Sequence, residues 1–105
     1  MADFDIGRLD EVIHGRVRLG VIAYLMVENP ADFMTLKSKL GVNEGTLSVH
    51  LRKLEEAGHV RIEKTYKGRR PLTRVHLTSG GRDGFRKYLK ALSGIIEPRT
   101  PPSNR

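Results

Sequence analysis

The stretch Lys67-Gly68-Arg69-Arg70-Pro71 sets two adjacent guanidinium groups between a glycine and a proline. Guanidinium groups stay charged and present a planar fork of donors, which suits phosphate and other oxyanions. Arg61, Lys64, Lys67 and Arg74 surround the pair. Residues 61–74 hold six Lys/Arg and one Glu, whereas residues 1–60 hold seven Lys/Arg and nine Asp/Glu. The formal net charge of +7 is therefore concentrated in this stretch and in the residues after it. Such asymmetry points to a polyanionic partner, either nucleic acid or an anionic membrane surface. A basic face kept only for solubility is the ordinary alternative.

A second set of candidates lies in "VNEGTLSVHLRKLEEAG", residues 42–58. At helical spacing Leu47, Leu51 and Leu54 make one apolar stripe. Gly45, Val49, Arg52 and Glu56 fall opposite, Thr46 and Lys53 on one flank, Ser48 on the other. Thr46 and Ser48 can donate to or accept from base edges, and Val49 can meet a thymine methyl. Arg52 can read guanine bidentately or bind phosphate, and Lys53 suits phosphate, where at least half of protein–DNA hydrogen bonds go. Gly45 would let a duplex backbone come close. His50 falls at the edge of the stripe, where it reads from spacing as a half-buried histidine bonded to backbone.

Other chemistries find little to work with. There is no cysteine, hence no disulfide, thiolate ligand or cysteine nucleophile. His14, His59 and His76 are scattered, without metal-ligand spacing. No nucleophile elbow or phosphate-cradling glycine loop occurs, and Arg82-Asp83 reads as a local ion pair. No enzyme activity, cofactor or metal is expected. The longest apolar run, Val21 to Val27, is too short for a bilayer, which takes about 20 residues. The acidic start "MADFDIGRLD" does not resemble a signal peptide, so a soluble cytoplasmic protein with no membrane partner is expected.

The elements that must position these residues can be read in order. Leu9–Asn29 reads as a helix, with a break allowed near His14-Gly15. Its apolar positions run nearly all round, and such a helix is covered on more than one side. Ala31–Gly41 reads as a second helix, with Gly41 at its stop. Asn43 is a good cap for a third, which Gly58 ends. Two helices joined by so short a turn make a helix-turn-helix. Alternation in "HVRIEK" and "PLTRVHLT" marks two strands joined by a loop at 67–70. Thr78–Glu97 reads as a last helix with an apolar stripe of Phe85, Tyr88, Leu89, Leu92, Ile95 and Ile96. Gly80, Gly81 and Gly84 should weaken its start by roughly 1 kcal/mol each. Residues 1–97 are expected to form one domain, and the proline-rich residues 98–105 a disordered tail.

The order of elements is that of the winged helix-turn-helix, an α+β, mainly α fold with a two-stranded basic wing. "LSVHLRKLEEAGHVRIEK" and "GRRPLTRVHLTSGGR" resemble the corresponding segments of MarR/ArsR-type regulators. "VIHGRVRLGVIAYL" is similar to the first helix of their small single-domain members. The resemblance spans about residues 9–96. It implies a homodimeric transcriptional regulator, expected to be a repressor, that reads a pseudo-palindrome in double-stranded DNA with residues 43–57 in the major groove and wing residues 67–71 at the minor groove; in those families the serine and histidine of this motif, Ser48 and His50 here, often approach DNA, an equal alternative for His50. It also implies a C-terminal dimerisation helix; Leu19, Ile22, Phe85, Leu89, Leu92 and Ile96 are the expected interface. It leaves open a small-molecule effector, for which no convergent polar cluster is visible. A winged helix used for protein contacts is the first alternative, opposed by the basic tip and polar outward face. RNA binding is the second, opposed by there being only three Phe, three Tyr and no Trp for stacking, most on core stripes.

Overall fold

The structure, a computed structural model, describes residues 4–97. The expected tail at 98–105 lies outside the described residues. The Leu9–Asn29 stretch breaks at His14-Gly15, where the sequence allows a break, and only its second part forms helix α1. The Asp10 carboxylate accepts the N–H groups of Val12 and Ile13 at 2.8 and 3.2 Å, and its carbonyl accepts that of His14. This local capture folds the segment into a separate turn that buries Ile13, and α1 starts only at Arg16, running to Val27. A short 3-10 turn, Ile6–Arg8, precedes it.

Helix α1 buries Val21, Ile22 and Leu25 but exposes Ala23 and Val27. Apart from a strip of Arg16, Ala23 and Val27 its positions are buried or half-buried, so it is covered on more than one side within the protomer itself. Ile22 is fully enclosed in the protomer core, so it is not available to an interface. Leu19 lies half-buried.

After Pro30 the chain is extended, not helical. Ala31–Asp32 form strand β1, and α2 runs Phe33–Leu40. Gly41, at φ +66°, closes α2, and Asn43 accepts the Thr46 N–H at 2.8 Å to open α3, Glu44–Glu56. Left-handed φ favours glycine because a Cβ would clash there. Leu47, Leu51 and Leu54 are buried as the stripe required, each contributing about 1.5–3 kcal/mol relative to exposure.

Strands β2, Val60–Lys67, and β3, Arg70–Leu77, pair antiparallel from Val60–Leu77 to Lys67–Arg70. The sheet has three strands rather than two, in the order β1-β3-β2. β1 supplies the missing partner for β3 at Val75 and Arg74. Further along the same edge, the Asn29 side chain accepts the Leu77 N–H at 2.9 Å.

Helix α4 runs Ser79–Ile96 from a Thr78 cap, whose hydroxyl accepts the Gly81 N–H at 2.9 Å and donates to the Gly58 carbonyl at 2.6 Å. The glycines at its start have a packing reason. A Cβ on Gly81 would lie 2.1 Å from the His59 carbonyl oxygen, and one on Gly80 3.3 Å from that of Gly58. The first turn of α4 thus lies against the backbone that links α3 to β2. The expected weakness of this helix start is the condition for a close seat.

Candidate nucleic-acid interface

Helix α3 turns a small, mixed surface outward. Gly45, Ser48, Arg52 and Lys53 are exposed, Val49 is 50% exposed, and Thr46 is half-buried. An outward valine beside two hydroxyl side chains can meet both methyl and hydrogen-bonding groups on a base edge. Glu44 in the first turn suits the positive end of the helix dipole.

The basic hairpin ends in a two-residue turn. Lys67 and Arg70 are paired strand ends, not loop residues, and only Gly68 and Arg69 lie between them. Gly68 has φ +65° while Arg69 does not adopt positive φ, the sign pattern of a type II′ turn. Arg69 and Arg70 are both exposed. Pro71 faces Tyr66, one pair in from the closing pair. In an antiparallel ladder that pair lacks mutual hydrogen bonds, so the missing N–H points away from β2. β1 pairs no farther than Arg74, so no ladder bond is lost there.

Strand alternation divides the other cations into two rows. Lys64 and its partner Thr73 share the core-side face and, with Ser48, Arg52, Glu44 and Glu55, line a groove of about 630 Å³ between α3 and the hairpin. Arg61, Lys67, Arg70 and Arg74 lie on the opposite face. There the His76 imidazole meets the Glu63 carboxylate at 2.8 Å. That hydrogen bond, helped by the charges of His76, Arg61 and Arg74, holds Glu63 below the usual carboxylate range. Arg61, Lys64, Lys67 and Arg74, which surround the arginine pair in sequence, are therefore split between two faces, with Glu63 set beside Arg61 and Arg74.

His50 bonds to a side chain rather than to backbone. Arg18 on α1 reaches across, and its Nη1 donates to His50 Nδ1 at 2.8 Å. The same guanidinium donates from Nε to the Val12 carbonyl, and from Nη2 to that of Glu11 at 3.4 Å. Burial, and then the charges of Arg18 and Lys53, lower the pKa of His50.

The winged helix DNA-binding domain family matches residues 17–96. The chain belongs to that family. An uncharacterised protein of Methanocaldococcus jannaschii is 34% identical over 79 residues, covering 75% of this chain and 86% of that one. The transcriptional regulator homologue of Pyrococcus horikoshii superposes with a TM-score of 0.83 at 28% identity, covering 92% of this chain and 96% of its own. Overoxidized AbfR bound to DNA gives 0.73 at 25%, covering 91% and 69%. A MarR-family regulator of Silicibacter pomeroyi shares the fold, with a TM-score of 0.62 at 23% identity over 96% of this chain and 69% of its own.

In winged-helix terms, α3 takes the place of the second helix of the helix-turn-helix and the β2–β3 hairpin that of the wing. Gly45, Thr46, Ser48, Val49, Arg52 and Lys53 are gathered on one helix, and Lys64 joins them across the groove. Lys67, Arg69 and Arg70 gather at the wing tip, while Arg61 and Arg74 sit at its base beside Glu63. Sequence reasoning missed Arg18. It lies 32 residues from His50, and nothing in the spacing of either helix announces their contact. No helix among the described residues is long and apolar enough to cross a membrane. The fold and family are those of transcriptional regulators, not enzymes.

Proposed function

We propose that this protein is a homodimeric regulator, acting as a repressor, that reads a pseudo-palindromic site in double-stranded DNA. The observation that carries this reading is the pairing of an outward recognition surface, Thr46, Ser48 and Val49, with a basic wing tip on the same protomer. Recognition-helix residues contact base edges in the major groove, and the wing reaches the adjacent backbone or minor groove. Titration against duplex DNA, single-stranded DNA and structured RNA at one salt concentration tests it. Tightest binding to duplex is the expected result; preference for either other nucleic acid, or no binding, would overturn it.

Dimerisation is supported by apolar surface left uncovered at one end of the protomer. Phe4 and Ile6 are 73% and 68% exposed, and on α4 Leu89 and Ile96 are 46% and 66% exposed. Phe85, Leu92 and Ile95 beside them are half-buried. Leu89→Asp should convert a species of about twice 11.8 kDa into a monomer by light scattering, with the protomer's helical content unchanged. A monomeric wild type at micromolar concentration would remove the dimer and the palindrome together.

A two-fold dimer places its recognition helices about 34–36 Å apart, so half-site centres should be spaced one helical turn. Thr46→Ala and Val49→Ala should each change the preferred base at one half-site position, by roughly 1–3 kcal/mol. Site selection from random duplexes reads this directly. An unchanged preferred site for both variants would show that neither residue reads bases.

A further inference from the structure

We propose that Arg18 is a positioning residue, locking His50 of the recognition helix in its Nε2–H tautomer so that it offers one uncharged donor to a DNA phosphate. This rests on the proposed DNA binding and adds to it a residue outside both the recognition helix and the wing.

The argument begins with what each group can do. A guanidinium only donates. His50 Nδ1, 2.8 Å from Arg18 Nη1, therefore carries a lone pair, and the neutral ring must hold its proton on Nε2. Arg18 is itself held in place, because its Nε and Nη2 donate to the carbonyls of Val12 and Glu11. The ring is thus fixed from behind by a residue anchored to another segment, as a ligand histidine is fixed by the partner of its second nitrogen.

Position supplies the second step. His50 lies one turn beyond Thr46 and one before Lys53, on the same flank of α3. A helix with its side chains is about 10–12 Å across, and the major groove is about 12 Å wide. Flank residues of a helix in that groove face the phosphate strands, while the outward row faces the bases. His50 is half-buried, with Lys53 exposed beside it. Nε2–H and the Lys53 ammonium then make adjacent contacts to one strand, on the flank away from the groove that Ser48 and Lys64 line.

Protonation would turn Nδ1 into a donor, break the bond to Arg18 and set two cations together. The charged groups around the ring are Arg18 from α1 and Lys53 on α3, with Glu11 and Glu56 lining the groove that those two cations share. His50 accordingly titrates below its ordinary value. The unfolded chain takes that proton first, so this contribution to stability is complete above about pH 6.5 and is lost as pH falls below it. The same arrangement keeps the phosphate contact independent of pH near neutrality.

The test uses the full chain and a fluorescein-labelled mixed-sequence duplex, read by anisotropy at about pH 8 and about pH 6, either side of the ordinary histidine value. The ratio of wild-type to His50→Gln affinity should change less between the two than the Arg18→Gln affinity does, because the guanidinium facing Nδ1 opposes a charge at His50. Arg18→Gln frees Nδ1 to protonate. Its affinity should rise about three- to fivefold at the lower pH, and its salt slope should steepen there by about 0.9 per subunit. The Arg18→Gln/His50→Gln double variant should lose both effects, and Arg18→Lys, which keeps a charge and a donor, should restore the flat profile. Long-range proton–nitrogen spectra of the wild type should show Nε2 protonated and Nδ1 bare, a readout that needs neither DNA nor a folded variant. An Nδ1–H tautomer, or an Arg18→Gln variant as flat as wild type, would overturn the proposal. A wild type that shows the expected tautomer but binds no duplex would instead overturn the DNA reading, and with it this use of His50.

Discussion

Gly81→Ala should lower the unfolding free energy by about 3 kcal/mol or more. Helix propensity alone predicts the opposite sign, because alanine is favoured over glycine by about 1 kcal/mol inside a helix. The geometry decides. The added methyl would sit 2.1 Å from the His59 carbonyl oxygen, 2.9 Å from its carbonyl carbon and 2.8 Å from a Leu77 methyl. Two of those three atoms are backbone, in the turn that Gly58 closes at φ +82°. That turn is fixed by bonds from Gly58 N–H to the Glu55 carbonyl and from His59 N–H to the Leu54 carbonyl, both 2.9 Å. Relief therefore requires α4 to lift from the α3–β2 junction, breaking the Thr78 bonds as well. Gly45→Ala is the matched control. It also lies in a helix, but its Cβ would meet nothing closer than 3.5 Å, so it should be neutral or stabilising by up to about 1 kcal/mol. Urea unfolding of the two variants against wild type measures both. Equal effects would mean that propensity, and not the close seat of α4, governs the start of that helix.

The difference between these two glycines marks where reading from sequence stops. Leu47, Leu51 and Leu54 could be placed from spacing alone, because a helix face is a local property and their inward stripe follows from 3.6 residues per turn. Asn43, Gly58 and Thr78 were legible for the same reason, each acting within a few residues of itself. Gly81 was not, because its constraint is a carbonyl 22 residues earlier in the chain. Ala31 and Asp32 read as the start of a helix, yet their backbone groups are claimed by β3, 42 to 44 residues on. Nothing about two residues after a proline specifies that pairing. The nearly all-round apolar pattern of α1 announced cover on more than one side, but it could not say which positions would face α2, α3, α4 and the sheet. Ile22 proved to be core, while Phe4 and Ile6, which make part of the exposed end, drew no notice in an acidic leader. At the candidate interface the residue types were legible and the grouping was not. Composition showed a cluster of cations. Only the strand register shows that Lys64 faces α3 while Arg61 and Arg74 face away beside Glu63. The His50–Arg18 bond is likewise a product of how α1 crosses α3, and no periodicity within either helix encodes it.

Arg69→Ala/Arg70→Ala should weaken duplex binding by about tenfold or more for each arginine removed per subunit, while leaving stability unchanged. Both side chains are exposed at the end of a two-stranded ribbon, and among the described residues neither has a hydrogen-bond or ion-pair partner, so folding loses little without them. Their placement fits a groove too narrow for a helix. The minor groove is about 6 Å wide, and in A-tracts its narrowing concentrates negative potential. The type II′ turn at Gly68-Arg69 keeps the ribbon thin, and Pro71 ends the outer edge without sacrificing a ladder bond. With α3 in the major groove, such a tip can deliver a guanidinium to the neighbouring minor groove or its phosphates. The salt dependence tells these apart from a solvated loop. Each phosphate neutralised adds about −0.9 to the slope of log K against log salt. Two arginines on phosphate should therefore flatten that slope by about 1.8 per subunit and weaken all sequences alike. An arginine inserted in the minor groove should instead cost most on sites with A/T flanks and little on G/C flanks. Arg61→Ala/Arg74→Ala is the informative comparison, because those side chains lie at the wing base beside Glu63 rather than at the tip. Their loss should flatten the slope less than loss of the tip pair. If the tip variant binds every duplex with wild-type affinity and slope, the wing does not touch DNA, and its charge serves solubility alone.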